Sequence, residues 1–184
     1  LRKEKPAETY KSYRVHLKDS DQYFPYPQNV VAGKLRNIKR LKGTMTYVGI
    51  IKKRYEYDVL TTESGERIIL VKVNFKNATD QDIAKLTSLF AEAENIWNRK
   101  RVTTDFPYRF AFHIEANPNR AHFSVRLQDS TRGPYDTFWG RNWSANVLAH
   151  ELGHMMGLGD EYKTLSGELD CYTGSMMCGA WYGQ

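Results

Sequence analysis

The sequence predicts an α+β domain in which a mixed, mostly antiparallel twisted sheet packs on two main helices. Several segments alternate apolar and polar residues, which indicates strands with one buried face. Two other segments have apolar residues three and four positions apart, which indicates amphipathic helices. A chain of 184 residues without internal repeats is long enough to form one core.

Three strands are predicted in the first half of the chain. Residues 45–51 and 55–62 are rich in β-branched and aromatic residues, and Ser64-Gly65 predicts the turn that follows them. Residues 67–75 alternate more strictly, so their apolar side chains share one face of the third strand.

A long helix is predicted from Thr79 to about Asn98. Thr79 is a suitable N-cap, and Asp80 and Asp82 interact favourably with the helix dipole in the first turn. One stripe of the helix is apolar and is expected to be buried, with the residues Ile83, Leu86, Phe90, Ala93 and Trp97.

Two alternating strands are expected after this helix, at residues 108–115 and 122–127. Their apolar residues lie on one face, and the alternation places His113 and His122 on the polar side. We therefore expect both histidines at the surface and not in a metal site.

The most informative segment begins at His150 and reads His-Glu-Leu-Gly-His-Met-Met-Gly-Leu-Gly-Asp. Residues four apart share a helix face, so His150 and His154 can bind one metal ion with Glu151 beside its open position. Gly157 tolerates the left-handed conformation of a helix C-terminus, and this turn brings Asp160 back toward the metal. Two imidazoles and one carboxylate leave a fourth position for water, as catalytic zinc requires.

The N-terminal end and the packing face of this second helix are also predicted. Asn142 or Ser144 is expected to be its N-cap. Its apolar side is expected to pack on the sheet, with the residues Val147, Leu148, Leu152 and Met155.

Other carboxylates could in principle replace Asp160 as the third ligand. Glu161 and Glu168 are the alternatives, but neither lies in a helical pattern after the glycine turn, and the residues around Glu168 indicate a loop. Asp160 is therefore the preferred ligand, and we expect Glu161 to be an outer partner or a solvated charge.

This segment, together with the later turn Gly174-Ser175-Met176-Met177-Cys178-Gly179, resembles the metzincin clan of zinc endopeptidases. The resemblance is to the variant with an Asp ligand, and the small snapalysin-type bacterial proteases have the most similar pattern. It implies a zincin-like catalytic domain, in which the order of strands and helices also agrees. It also implies zinc ligands His150, His154 and Asp160, Glu151 as general base, and Met177 or Met176 beneath the metal. Many metzincins have a Tyr two residues after that Met, but Gly179 follows Met177 here, so this role is not transferred.

The segment from Arg132 to Gly140 has two interpretations. It could form an edge strand above the cleft, to which an extended peptide substrate adds itself through main-chain hydrogen bonds. Alternatively, its aromatic residues Tyr135, Phe138 and Trp139 could simply pack between loop and sheet.

Cys171 and Cys178 are the only cysteines, and they bracket the segment that leads into Met176 and Met177. The ligand set is complete without them, so we expect a disulfide rather than zinc ligands. A disulfide implies a secreted or extracytoplasmic protein, whereas free thiols would be expected in a reducing cytosol.

The net charge of +6 is concentrated near the start of the chain, where residues 1–42 hold 11 Lys/Arg and 4 Asp/Glu. We therefore predict two parts, a basic N-terminal segment or linker at 1–42 and a zinc peptidase catalytic domain at 43–184. The basic segment is expected to be solvated or to contact an acidic partner or a larger parent chain. Nucleic acid is not expected because no recognition motif accompanies the charge. No apolar segment approaches the length of a membrane span.

The function predicted from these features is zinc-dependent cleavage of internal peptide bonds in a polypeptide substrate. Two alternatives remain open. One is a zinc-bearing binding module that has lost activity, although a structural site has no need of Glu151. The other is a peptidase toxin or effector domain excised from a larger secreted protein, which the basic, tyrosine-rich N-terminal segment and the close of the chain seven residues after Met177 suggest.

Overall fold

The structure is a computed structural model that describes residues 11–14, 35–47, 51–100, 108–129, 137–160 and 175–178. These residues form seven strands and two helices. In chain order they are β1 (Lys11–Arg14), β2 (Leu35–Tyr47), β3 (Ile51–Thr62), β4 (Arg67–Phe75), α1 (Asp80–Lys100), β5 (Tyr108–Ile114), β6 (Phe123–Gln128), β7 (Phe138–Gly140) and α2 (Ala145–Met155). The architecture is α+β with two helices, as predicted.

The sheet is mixed, and β4 is at its centre. The first four strands pair antiparallel in chain order, and β2 and β3 form a long hairpin. One edge of β4 pairs antiparallel with β3 and, further along the strand, in parallel with β6, whereas the opposite edge pairs in parallel with β5. Strand β6 pairs in parallel with β7. Parallel strands need crossover connections, and α1 is the crossover between β4 and β5.

The N-terminal strands extend further than the sequence patterns indicate. The predicted boundary between residues 42 and 43 lies inside β2, and both β1 and the first half of β2 belong to the same sheet as β3. This part of β2 is rich in basic residues and has few large apolar ones, so its hydrophobic periodicity is weak.

Helix α1 begins where its capping residue predicts. The hydroxyl of Thr79 accepts a hydrogen bond from the Asp82 N–H at 3.2 Å, and the Asp82 carboxylate accepts one from the Thr79 N–H at 2.8 Å. This reciprocal pair satisfies backbone donors that the first helical turn leaves open. Neither α1 nor α2 has the length and apolar character that crossing a membrane would require.

The sheet is buried on both faces. Val71 and Val73 of β4 belong to a large core with residues of both helices, such as Phe90 and Leu152. Alternate residues of the same strand point the other way and form a second core, which contains Ile38, Leu60, Ile68, Leu70 and Ala111. A strand with two buried faces gives polar residues on either side no direct access to water.

A buried charged group, here named the Asp58 cluster, extends this second core and contains Arg40, Asp58, Lys72 and His122. The Asp58 carboxylate lies 2.8 Å from Arg40 Nε, 3.2 Å from Lys72 Nζ and 3.0 Å from His122 Nε2. Its pKa is held well below the usual value by these three partners, although burial alone would raise it. The paired cations compensate for the cost of burying the carboxylate.

The prediction that His122 lies at the surface is wrong, since only 1% of it is exposed. Its Nδ1 accepts a hydrogen bond from the backbone N–H of Lys72 at 3.0 Å. The alternation that suggested exposure assumes one solvated face, whereas this part of the sheet is covered on both. His113 is half-buried.

Candidate metal centre

Helix α2 carries the predicted ligands and is held firmly in the core. Its N-cap is Ser144, whose hydroxyl accepts a long hydrogen bond of 3.5 Å from the Val147 N–H. The predicted packing residues are all buried. A second restraint comes from α1, where the indole N–H of Trp97 donates to the Ala149 carbonyl at 2.9 Å. The helix that presents the histidines therefore has a fixed position on the sheet.

The C-terminal turn of α2 has the geometry that the glycine predicts. Gly157 has φ of +92°, a left-handed conformation in which other residues are strained. The Gly157 N–H donates to the His154 carbonyl at 2.9 Å, and the Leu158 N–H donates to the Gly153 carbonyl at 3.0 Å. This pair of bonds defines a Schellman motif, which ends the helix and reverses the chain. The reversal returns Asp160 to the histidine face.

Three ligand atoms converge at the end of α2. Asp160 Oδ1 lies 2.9 Å from His150 Nε2 and 3.2 Å from His154 Nε2. A tetrahedral zinc ion with bonds of about 2.0–2.1 Å keeps its ligand atoms about 3.3 Å apart. The observed spacing is thus close to that of a metal site, and all three side chains are at most 8% exposed.

Backbone carbonyls fix the orientation and tautomer of both histidines. His150 Nδ1 lies 3.1 Å from the Met176 carbonyl oxygen, and His154 Nδ1 lies 2.8 Å from that of Leu158. A carbonyl oxygen only accepts hydrogen bonds, so each neutral ring carries its proton on Nδ1 and has a lone pair on Nε2. Two nitrogen lone pairs then face one carboxylate oxygen. A cation between them converts this repulsion into coordination, and such carbonyl contacts are typical around metal-binding histidines.

Both histidines are neutral at pH 7. Burial lowers the pKa of His150, and it lowers the pKa of His154 to about 3. The positive charge of Lys53 lowers both values further, whereas the bonds to the two carbonyls oppose the shift. Neutral imidazole is the form that binds a metal, so little proton release is needed for binding.

Glu151 lies beside these ligands and is 3% exposed. Ligand atoms of His150, Glu151 and His154 all lie within 4.8 Å of one another, a grouping that could itself hold a metal ion. Asp160 Oδ1 is nearer to both histidine nitrogens than this limit. With Asp160 as the third ligand, Glu151 is left for another role at the same site.

The methionine turn packs directly against α2. A Cβ atom added to Gly153 would lie 2.5 Å from the Met177 sulfur and 3.1 Å from the Trp97 ring. Glycine at this position therefore allows Met177, which is 3% exposed, to fit beneath the helix. Sequence reasoning did not single out Gly153. A glycine inside a helix lowers helix stability by about 1 kcal/mol relative to alanine, so its presence at position 153 was the available sign that close packing requires it.

The hairpin of β2 and β3 covers the turn that follows α2. A Cβ atom on Gly157 would lie 3.2 Å from the Tyr55 ring, and one on Gly159 would lie 3.4 Å from Met45 Cε. Neither Tyr55 nor Lys53, two residues before it on β3, was identified from the sequence. Their strand is distant from the motif in the chain, so no local pattern links them.

The disulfide and two alternative ligands involve residues outside the described ranges. Cys178 is disulfide-bonded, and Cys171 is the only other cysteine in the chain. Cys171, Glu161 and Glu168 themselves are not among the described residues.

The proposed substrate-binding edge is described only in part. Residues 132–136, which include Tyr135, lie outside the described ranges, and β7 begins at Phe138. Trp139 is fully buried, with its ring 5.6 Å from Phe75 and 6.0 Å from Trp143. Packing is therefore the role of Trp139, and β7 is the last strand in the sheet order of the described residues.

Comparisons of the chain with protein-family models, with curated proteins and with solved structures found no match in any of the three. The interpretation of the site therefore depends on its own geometry. The convergence of two Nε2 lone pairs on one carboxylate oxygen is its most distinctive feature.

Proposed function

We propose that the protein is a zinc-dependent endopeptidase with a zincin-like catalytic domain. The observation that carries the proposal is the convergence of His150 Nε2, His154 Nε2 and Asp160 Oδ1 at metal-ligand spacing. Carbonyl contacts that fix both histidine tautomers support it. Cys178 in a disulfide supports a secreted or extracytoplasmic location, because disulfides persist in oxidising compartments.

The donor set suits zinc. Two neutral imidazoles and one carboxylate are three protein ligands, and catalytic zinc sites use three and leave a position for water. Zinc held by these residues would lower the pKa of a bound water toward about 7 and would polarise a carbonyl group. Glu151 is the one further carboxylate of the grouping, so it is the candidate for proton transfer.

The role of Glu151 follows from the proton balance of hydrolysis. Water must lose one proton as its oxygen bonds to the carbonyl carbon, and the leaving amine must gain one as the carbon–nitrogen bond breaks. A carboxylate that takes the first proton and delivers it to the amine serves both steps and is regenerated. Because Glu151 is not needed as a ligand, its substitution separates chemistry from metal binding.

The test compares wild type with Glu151→Gln. Both proteins are purified without added metal, their zinc content is measured, and each is incubated with unfolded polypeptides whose new termini are identified by mass spectrometry. We expect one zinc per chain in both proteins. We expect internal cleavage by the wild type only, with a loss of about two to four powers of ten in Glu151→Gln. Chelation should abolish the wild-type cleavage.

Two outcomes would contradict the proposal. A zinc-loaded wild type that cleaves nothing would favour a binding module. Equal cleavage by wild type and zinc-loaded Glu151→Gln would exclude the general-base role. If the wild type does cleave, the residues on each side of the cut are the starting point for identifying the natural substrate and any larger parent chain.

A further inference from the structure

Strand β3 presents one face to the metal centre. Tyr55 contacts the turn at Gly157, and Tyr57 packs against the core that contains α2. Side chains alternate along a strand, so Lys53 shares this face with both tyrosines. The intervening Glu56 and Asp58 are buried on the opposite face.

The cross-strand neighbour of Lys53 supports the same placement. Lys53 pairs with Met45 of β2, and directly paired residues in an antiparallel sheet have side chains on one face. Met45 Cε lies against Gly159, the residue before Asp160. Lys53 is thus flanked by Met45 and Tyr55, and both of these contact the turn that carries the third ligand. It is half-buried rather than extended into solvent.

Because Lys53 lies between Met45 and Tyr55 on this face, its positively charged side chain lies beside the turn that carries Asp160. Near a divalent ion held by Asp160, with Glu151 alongside, Lys53 adds positive charge to the described part of the site. Such a site favours a bound group that carries or develops negative charge.

We propose that Lys53 is the cationic group that stabilises the negative charge developing on the carbonyl oxygen of the scissile peptide bond. This inference rests on the proposed peptidase function. Peptide hydrolysis places charge on that oxygen when water adds to the carbonyl carbon, and a fixed donor near it lowers the barrier.

The first experiment measures anion binding without any need for catalysis. Wild type, Lys53→Met and Lys53→Arg are loaded with Co²⁺ and titrated with azide, an anionic metal ligand, and with imidazole, a neutral one, by visible absorption. We expect Lys53→Met to weaken azide binding by roughly tenfold or more and to change imidazole binding less than about twofold. Lys53→Arg keeps the charge and should retain most of the azide affinity.

Lys52→Met is the matched control, because Lys52 is the next residue on β3 and is exposed. It should bind both ligands like wild type. Equal weakening of azide and imidazole by Lys53→Met would mean that Lys53 only shapes the site, and unchanged azide binding would mean that its charge does not act there. Either result overturns the inference.

The second experiment measures kcat and KM on a peptide blocked at both ends. We expect Lys53→Met to lower kcat by roughly 10²-fold with a small change in KM, and Lys53→Arg to recover part of the loss. The wild type could instead cleave only peptides that have a free C-terminal carboxylate, and this cleavage could be lost equally when the carboxylate is blocked or when Lys53 is replaced by Met. Such a result would assign Lys53 to binding that carboxylate and would overturn its role at the carbonyl oxygen. A wild type that cleaves no peptide but shows the azide effect would refute the peptidase function and with it the role at a scissile carbonyl, and would leave Lys53 as an anion-binding group of the site. Peptide cleavage without the azide effect would refute the Lys53 inference alone.

Discussion

Histidine nitrogens meet an aspartate in two places in the described part of the chain, and the backbone holds them in opposite ways. In the Asp58 cluster, His122 Nδ1 accepts from the Lys72 N–H, so the proton lies on Nε2 and faces the carboxylate. In the metal centre, the Nδ1 atoms of His150 and His154 face carbonyl oxygens, so the lone pairs on Nε2 face the carboxylate.

The difference separates a complete ion network from the site at which we propose a metal ion. Asp58 already has Arg40 and Lys72 as partners, each with a nitrogen within 3.2 Å of its carboxylate. Asp160 instead shares its position with two acceptor nitrogens. The backbone partner of Nδ1 therefore distinguishes the two roles better than the presence of a histidine–aspartate pair does.

The largest difference should be in zinc affinity, between a variant that lacks a histidine of the metal centre and one that lacks the histidine of the Asp58 cluster. His154→Ala deletes a ligand and should lower zinc affinity by more than the roughly 10–100-fold that loss of an outer hydrogen-bond partner costs. His122→Ala should retain one zinc per chain, because its ring belongs to the other cluster, and should lower stability instead. Competition with a chromogenic chelator measures the affinity of both variants. Loss of zinc from His122→Ala with the fold intact would show that the two clusters are coupled.

Removing the charge of each aspartate should change the stability of the metal-free protein in different directions. Asp58→Asn leaves Lys72 and Arg40 buried without their carboxylate and should cost about 3–5 kcal/mol. Asp160→Asn can turn an amide N–H toward the histidine lone pairs and should cost nothing or stabilise by up to about 1 kcal/mol, while weakening zinc binding. Urea denaturation of metal-free protein gives both values. A strongly destabilised metal-free Asp160→Asn would contradict the inferred histidine tautomers.

The two regions should also lose stability at different pH. The pKa of His154 in the folded, metal-free protein is about 3, below the usual 6.5, so its contribution is present above pH 6.5 and is lost as pH falls toward 3. The pKa of Asp58 is also lowered, so its contribution is present above pH 3.8 and is lost only below that value. Unfolding free energies of metal-free wild type and His154→Gln between pH 7 and 4 should differ in slope, with the steeper dependence in wild type. Parallel curves would assign the acid sensitivity to other groups.

The smallest effect should come from Gly65 and Gly157, which have positive φ among the residues that the structure describes. Gly65, at +88°, has nothing within 4 Å of an added Cβ, so Gly65→Ala should cost about 1–2 kcal/mol from backbone strain alone and should leave zinc affinity unchanged. Gly157→Ala adds a close contact with Tyr55 to similar strain and displaces the turn before Asp160. It should therefore weaken zinc binding as well. Calorimetric zinc titration of both variants checks this, and equal affinities would mean that the turn tolerates the shift.

Local patterns predicted the parts of the protein that depend on neighbouring residues. The caps at Thr79 and Ser144 and the turn at Gly157 follow from hydrogen bonds within a few residues, and the structure has all three. The convergence of His150, His154 and Asp160 follows from helical spacing and one left-handed residue.

Features that depend on distant strands could not be predicted in the same way. His122 is buried against Asp58 of β3 and Lys72 of β4, and alternation within one strand does not reveal these contacts. Tyr55 reaches the turn at Gly157 from β3, which is equally distant in the chain. The carbonyl of Met176 that orients His150 is equally remote, since it comes from a turn 26 residues later.

The contacts of the two histidines differ in sequence separation, and this implies an order of assembly. His154 is oriented by the carbonyl of Leu158, four residues away, and Asp160 is almost as near. These contacts close short loops and can form within microseconds once the helix exists. The contact of His150 with Met176 closes a much longer loop and costs more chain entropy. We therefore expect the contacts of His154 to form first and the methionine turn to dock last, so that the proposed metal ion would bind before the fold is complete.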